Sequence, residues 1–212
     1  MPRLVDHEVR RRQITDAVRR VIIDGGLEAV TFHTVAAEAG ISIRLVQYYF
    51  GTKNEFLLAT HRAVMLDTGA RFTQRWSALD FDATPREAIR AVLTELLPLD
   101  EQRRGEAIVL GAFGTAAITG RSVTAEETFA APNALVAILT DQLRRARRAD
   151  RSGPHASELD AGLVLMTIGG LAQAMLQGYS TPQAALELLD HLLDHVLSTP
   201  ILSASSTRPA PD

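Results

Sequence analysis

The sequence predicts an all-α protein of about nine helices, a three-helix head followed by a larger helical body. Three observations carry that expectation. Apolar residues recur at intervals of three and four, the period of a half-buried helix. Ser/Thr caps, N1 prolines and terminal glycines separate the recurrences. No stretch alternates apolar and polar residues as a strand does.

The elements follow in order. Helix 1 is expected over residues 6–24. Val9, Ile14, Ala17, Val18, Val21 and Ile22 form its buried stripe, and Gly25-Gly26 stop it. Arg10, Arg11, Arg12, Arg19 and Arg20 read as its solvated face, with Arg10 or Arg11 within reach of a phosphate. Thr31 caps helix 2, because its hydroxyl can accept from free N–H groups of the first turn. Val35, Ala36 and Ala39 share one face of that helix. Gly40 supplies a left-handed residue after it, and Ile41 plugs the turn. Ser42 caps helix 3, which buries Leu45, Val46, Tyr49 and Phe50. Ile43, Arg44, Gln47 and Tyr48 are left facing outward. Gly51 ends the helix, Thr52 caps the next, and Lys53 sits in its first turn.

Helix 4 is expected over residues 53–79, joining head to body. Helix 5 starts at Pro85, favourable at N1, and ends near Pro98. Helix 6 spans about residues 101–119, and helix 7 about 124–150. Pro132 either kinks helix 7 or marks its start. Residues 150–157, DRSGPHAS, read as a loop. Helix 8 covers about residues 157–178, and Thr181-Pro182 open helix 9, which reaches Ser198. The division is therefore a head over 1–52, a body over 53–202 and a disordered tail over 203–212.

Two short helices joined at a glycine, the second with exposed Arg and Gln, have the form of a helix-turn-helix. The second helix suits the major groove. Arg can pair with guanine O6 and N7, and Gln with adenine N6 and N7. Ile43 offers an apolar contact to a thymine methyl. Thr31, Thr34, Ser42, Tyr48, Tyr49, Thr52 and Lys53 are candidates to hold the DNA backbone. His33 either touches phosphate or is simply exposed.

Residues 8–60 resemble the DNA-binding head of the TetR family of bacterial transcription regulators. The family pattern runs roughly T-x-x-x-I-A-x-x-A-G-V-S-x-G-x-L-Y-x-H-F-x-x-K. This chain matches at Thr31, Val35, Ala36, Ala39, Gly40, Ile41, Ser42, Phe50 and Lys53, conservative variants included. It departs at Arg44, where Gly is frequent, at Gln47, where Tyr is usual, and at Tyr49, which replaces His. The first two departures fall on DNA-facing positions, so no operator sequence carries over. The resemblance implies a homodimeric, ligand-responsive regulator, most often a repressor, bound to a palindromic operator. Two recognition helices lie roughly 34–36 Å apart, or a multiple, in such dimers. The alternative is a constitutive or partner-docking DNA-binding dimer without an effector.

Composition bounds these expectations. The 212 residues include no cysteine, which excludes disulfides and thiolate metal sites and suits a cytoplasmic location. No apolar core of a signal peptide opens the chain. The net charge of −3 is unlike that of a general nucleic-acid binder. Residues 1–60 hold eight Arg/Lys against seven Asp/Glu, so affinity has to come from placed contacts. Lys53 is the only lysine. Residues 161–186 carry no charge, but four glycines and three glutamines interrupt them. A buried helix fits them better than a membrane span.

The body offers two further candidates. Helix 6 contains AIVLGAFGTAAITG, and a helix apolar all round must be surrounded. In the TetR family the space beside such helices is an effector pocket whose occupation releases DNA. Apolar candidate liners are Met65, Phe72, Trp76, Leu96, Phe113, Phe129 and Met166, each also compatible with ordinary core. Polar candidates are His61, Glu95 and Thr115. A small hydrophobic effector suits such a lining. On helix 8, Leu163, Met166, Gly170, Ala174 and Gln177 make one flank; on helix 9, Leu186, Leu189, Leu193 and Val196 do the same. Both flanks suit either a dimer bundle, as in the family, or packing within one subunit. No nucleophile elbow, phosphate loop or dinucleotide motif points to an enzyme, and no cofactor is implied. His191 and His195 are spaced for a metal but sit on what reads as a solvated face.

Overall fold

The computed structural model describes residues 2–80, 82–118, 125–146 and 154–198, with side chains for 7–80, 82–118, 135–146 and 157–197. Among the described residues the chain forms nine α-helices, one 3-10 turn and no strand. The helices are α1 (Pro2–Gly25), α2 (Phe32–Ala39), α3 (Ile43–Tyr49), α4 (Lys53–Ser77), α5 (Pro85–Thr94), α6 (Glu101–Ile118), α7 (Ala125–Ala146), α8 (Pro154–Leu176) and α9 (Pro182–Ser198). The turn is Leu27–Ala29.

Several boundaries differ from the sequence expectation for local reasons. Helix α5 stops at Thr94, four residues before Pro98. The chain then tightens, with Leu96 N donating to Leu93 O at 3.1 Å and Leu97 N to Thr94 O at 3.2 Å. Those are 3-10 spacings, suited to a chain that must meet a proline. Pro154 opens α8, so residues 154–157 are helical rather than loop. Residues 150–153 of that expected loop, and the tail over 203–212, lie outside the described residues. Pro132 falls inside α7, not at its start.

Two apolar cores divide the molecule. The first gathers Ile14, Val18 and Ile22 of α1, Val35 of α2, Val46 of α3, and Phe50, Phe56 and Leu57 around the start of α4. Val109 and Phe113 of α6 complete it, so the head core extends into the body helices. Val9, expected in the α1 stripe, is 61% exposed. It lies five residues before Ile14, about 140° around the helix from the buried line. Gly105 lets α6 approach α1; a Cβ there would stand 3.0 Å from Ile23 Cδ1. The second core joins Ile89 and Leu93 of α5, Leu139 and Leu143 of α7, Val164 and Ile168 of α8, and Leu189 and Leu193 of α9.

That second core corrects the expectation for helix 9. Leu189, Leu193 and Val196 are 0–3% exposed within the single chain, and Leu186 is packed partly against them. Their partners are α8 and α5. Arg90 on α5 reinforces the contact, its Nε donating to Asp190 at 2.7 Å. This bond, then the nearby charges, holds the Asp190 carboxyl below its ordinary range.

Polar ties connect the two halves through α4. Arg12 and Arg19 of α1 both donate to Asp67, at 2.9 and 2.6 Å. Burial raises the Asp67 pKa, but the hydrogen bond and charge of Arg19, then of Arg12, outweigh it and lower it overall. One turn further along α4, Arg71 donates to Glu106 of α6 at 2.7 Å and lies 3.6 Å from Glu95. Thr68 donates to the same Glu106 at 3.0 Å.

Candidate nucleic-acid interface

The recognition face is set by the ends of short helices. Thr31 accepts from Thr34 N at 3.1 Å while its own N–H donates to Thr34 Oγ1 at 2.9 Å, a closed capping box. Gly40 follows α2 at φ 66°, which no β-carbon obstructs. Ser42 accepts from Leu45 N at 3.2 Å, and Thr52 from Glu55 N at 3.2 Å. Val46 and Phe50, both 0% exposed, hold α3 to the core.

Arginines of α1, expected on a solvated face, instead fix this geometry. Arg11 Nη1 donates to Tyr49 O at 2.7 Å, satisfying a carbonyl at the end of α3. Its guanidinium lies 4.1 Å from the Phe50 ring centroid, a cation–π contact. Gln13 donates to Ala39 O at 2.8 Å and does the same for α2. Arg20 bonds to Glu38 on that helix. Arg10 donates locally to Gln13, at 2.6 Å.

With its inner side so held, α3 presents Ile43, Arg44, Gln47 and Tyr48 outward, all exposed. Among the described residues neither Arg44 nor Gln47 has a hydrogen-bond or ion-pair partner. Both heads are therefore available to base edges. Tyr48 is 76% exposed and rests edge-on against Tyr49, centroids 5.2 Å apart. Thr31, Ser42 and Thr52 are exposed around the same surface. Three backbone candidates are more committed than expected. The Thr34 hydroxyl donates to Ala29 O at 2.8 Å. Tyr49 is half-buried, 4.6 Å from the His7 ring. Lys53 is half-buried, its Nζ 3.4 Å from Leu27 O. That contact is long enough for the ammonium to leave for a phosphate.

The effector candidates separate sharply. Phe72 and Trp76 of α4 do share a cleft of about 560 Å³, with Val92 of α5 and Leu135, Ile138 and Gln142 of α7. Met65 and Leu96 are half-buried and lie away from its lining. His61 packs edge-on against Phe113, 5.1 Å between centroids, in the head-side core. Phe113 is thus core, because α6 crosses α1 and α4 at that level. Glu95 is held by Arg71 and by Arg103 at 3.7 Å, which removes it as a free counter-charge. Thr115 is exposed, and its hydroxyl donates to Gly111 O at 3.0 Å. Met166 is 79% exposed on the outer side of α8, not inside the body. Phe129 lies outside the described side chains.

Sequence reasoning missed Ile138 and Gln142. Their signal was the Leu135, Leu139, Leu143 line on α7, which puts residues 138 and 142 together on its flank. A second hollow of about 640 Å³ lies beside α5, lined by Arg75, Asp80, Asp82, Thr84, Glu87 and Arg90 among others. Its polar groups are already engaged in part, Glu87 by the Thr84 cap and Arg90 by Asp190.

On the far side of the body, Leu159, Leu163 and Met166 are 50–79% exposed, and Gly170 and Gln177 continue the same line. Leu188 is the exposed leucine of α9, at 50%. His191 and His195 are exposed beside it, and among the described residues no group of three metal-ligating side chains occurs. The stretch Ser157–Leu176 is long and apolar enough to cross a membrane by length and composition alone.

Comparison with known proteins agrees with this architecture. The chain is 34% identical over 114 residues to the HTH-type transcriptional regulator PksA of Bacillus subtilis, 53% of this chain and 54% of that protein. It is 44% identical over 93 residues to the HTH-type transcriptional regulator BetI of Burkholderia mallei, 44% of this chain and 47% of that one. The chain thus spans about half the length of the curated relatives it matches. A crystal structure of a transcriptional regulator from Rhodococcus superposes with a TM-score of 0.71 at 27% identity, covering 88% of this chain and 95% of that one. Residues 85–198 match the C-terminal region of BetI-type transcriptional repressors, and residues 14–60 match the bacterial regulatory proteins of the tetR family. The chain belongs to the TetR family of DNA-binding transcriptional regulators.

Proposed function

We propose that the protein is a homodimeric repressor whose hold on a palindromic operator is released by a small hydrophobic effector. Arg44 and Gln47 read bases, Ile43 meets a thymine methyl, and Thr31, Ser42, Tyr48, Thr52 and Lys53 hold phosphates. One observation supports effector control above others. The 560 Å³ cleft is lined from α4, the helix that begins directly after the recognition helix. The same α4 carries Asp67, the anchor of Arg12 and Arg19 in the head. A ligand that displaces Phe72 and Trp76 therefore pushes on the helix that orients α3. Residues 1–52 act as the reader and 53–202 as the sensor, with α4 common to both.

The line Leu159, Leu163, Met166, Gly170, the half-buried Ala174 and Gln177 supports dimerisation through α8, with the outer flank of α9 beside it. Its steps of three and four are those of a helix-pairing seam, and a two-fold pairing makes the two heads equivalent.

The test is release of a labelled operator duplex by a small-molecule library, on wild type and on Ala137→Trp. Ala137 is an exposed liner, so the indole fills the cleft without entering the core. Releasing compounds should lose their effect on the variant while its DNA affinity stays. Equal release from both proteins would remove the cleft from the switch.

A further inference from the structure

We infer that Gln142 selects the ligand of the α4–α5–α7 cleft, and that this ligand is an uncharged molecule with an apolar body and one carbonyl, hydroxyl or amide group. The inference rests on the cleft being a ligand site, as proposed above.

Gln142 is 8% exposed, yet it lines the cleft. Among the described residues its amide has no hydrogen-bond partner, and it is not one of the wholly enclosed polar groups left without one, so it opens onto the cleft. In the free protein, water in the cleft meets its bonds, and a ligand that displaces the water has to replace them. Leucine or methionine at this position would make the lining more apolar and set no such demand on a ligand. An amide there has a purpose if something entering the cleft completes its bonds. Gln offers one acceptor and two donors, which match a carbonyl, a hydroxyl or another amide without any charge.

The surroundings argue against an ionic ligand. Phe72, Val92, Leu135 and Ile138 supply carbon surface, which cannot stabilise a buried charge, and Trp76 offers a cation only its ring face. The one carboxylate at the rim, Asp141, is already bound by Arg145 at 2.8 Å. Glu95 is occupied by two arginines. The volume of about 560 Å³ is within the range that encloses a ligand of drug size.

The cleft carries its own reporter, because Trp76 is the only tryptophan of the chain. Full-length protein is titrated with octanamide, octanoate and octyltrimethylammonium, following Trp76 emission. Octanamide should bind at least tenfold more tightly than either ion. Gln142→Leu should weaken octanamide about tenfold and change the two ions less than twofold. Gln142→Met provides a second variant of similar volume, and circular dichroism checks that each is folded. If neither folds, the wild-type ranking decides. Tightest binding of the ammonium, as a cation on the Trp76 face, would overturn the inference while keeping the cleft as a ligand site. Unchanged octanamide affinity in a folded variant would do the same. No saturable change with any probe would remove the cleft reading, and this inference with it.

Discussion

The head and the body cap their helices alike but fill the space between them differently. In the body Thr84, Asp100 and Thr181 cap helix starts; in the head Thr31, Ser42 and Thr52 do so, and Gln13 and Arg11 also satisfy carbonyls at two helix ends. Its core includes Ile14, Val35, Val46 and Phe50 at 0% exposure. In the body, α4, α5 and α7 leave a cleft where Trp76 and Ile138 remain 42% and 48% exposed. A surface that must present Arg44 and Gln47 at fixed positions needs a rigid support. A site that admits a ligand needs unfilled space, and low local stability follows from few packed neighbours.

The largest contrast should come from large-to-small substitutions. Phe50→Ala should cost about 3–5 kcal/mol, because it opens a closed core and removes the stack beneath Arg11. Trp76→Ala removes a larger side chain but should cost under about 1 kcal/mol, since its site is already open to water. Denaturant unfolding measures both. Equal losses would erase the distinction between a filled head and an open body.

The next effect concerns the joint between them. Arg71→Ala leaves Glu106, 7% exposed, with Thr68 and Gln102 as its remaining partners. We expect about 2–3 kcal/mol of destabilisation, below the full cost of a broken buried pair because Arg71 itself is partly solvated. Restoration by Glu106→Gln in the double variant would show that the loss comes from the stranded carboxylate.

Arg44→Ala should leave stability unchanged, since the side chain is exposed and unpaired, and cost about 1–3 kcal/mol of operator binding with relaxed choice at one base. Lys53→Ala should instead weaken all sequences alike and lower the salt slope by about one. A changed sequence preference in Lys53→Ala would contradict its phosphate role.

The smallest expected effect is on pH dependence. Asp190 has a folded pKa lowered by the Arg90 hydrogen bond and charge. Its contribution is therefore complete above the ordinary carboxylate value and is lost as pH falls through the lowered one, below about pH 4. Asp190→Asn should remove that acid-side loss from the unfolding profile. Solvent screening keeps the difference well under 1 kcal/mol.

The same contrast explains what the sequence revealed. The head was legible because capping and turn chemistry are local: Thr31, Gly40, Ser42 and Thr52 act within four residues of themselves. The exposure of Ile43, Arg44, Gln47 and Tyr48 followed from the period of one seven-residue helix. Arg11 and Arg19 of α1 were misjudged because their partners, Tyr49 and Asp67, lie 38 and 48 residues away. In the body, periodicity located the helices but not which side faces which neighbour. Leu189 and Met166 are both apolar residues on apolar-rich helices, yet one is 0% and the other 79% exposed. Phe72 and Trp76 were found on the cleft, while Gln142 was missed because a polar residue in α7 reads as surface until α4 and α5 close over it.

The central claim is that the head reads a specific two-fold sequence. Selection of bound duplexes from a random DNA library, at two salt concentrations, tests it directly. The account predicts an enriched palindrome with half-sites about one helical turn apart or a multiple, its specificity relaxed at one base in Arg44→Ala. Weak binding that salt abolishes, with no enriched sequence in either protein, would contradict it.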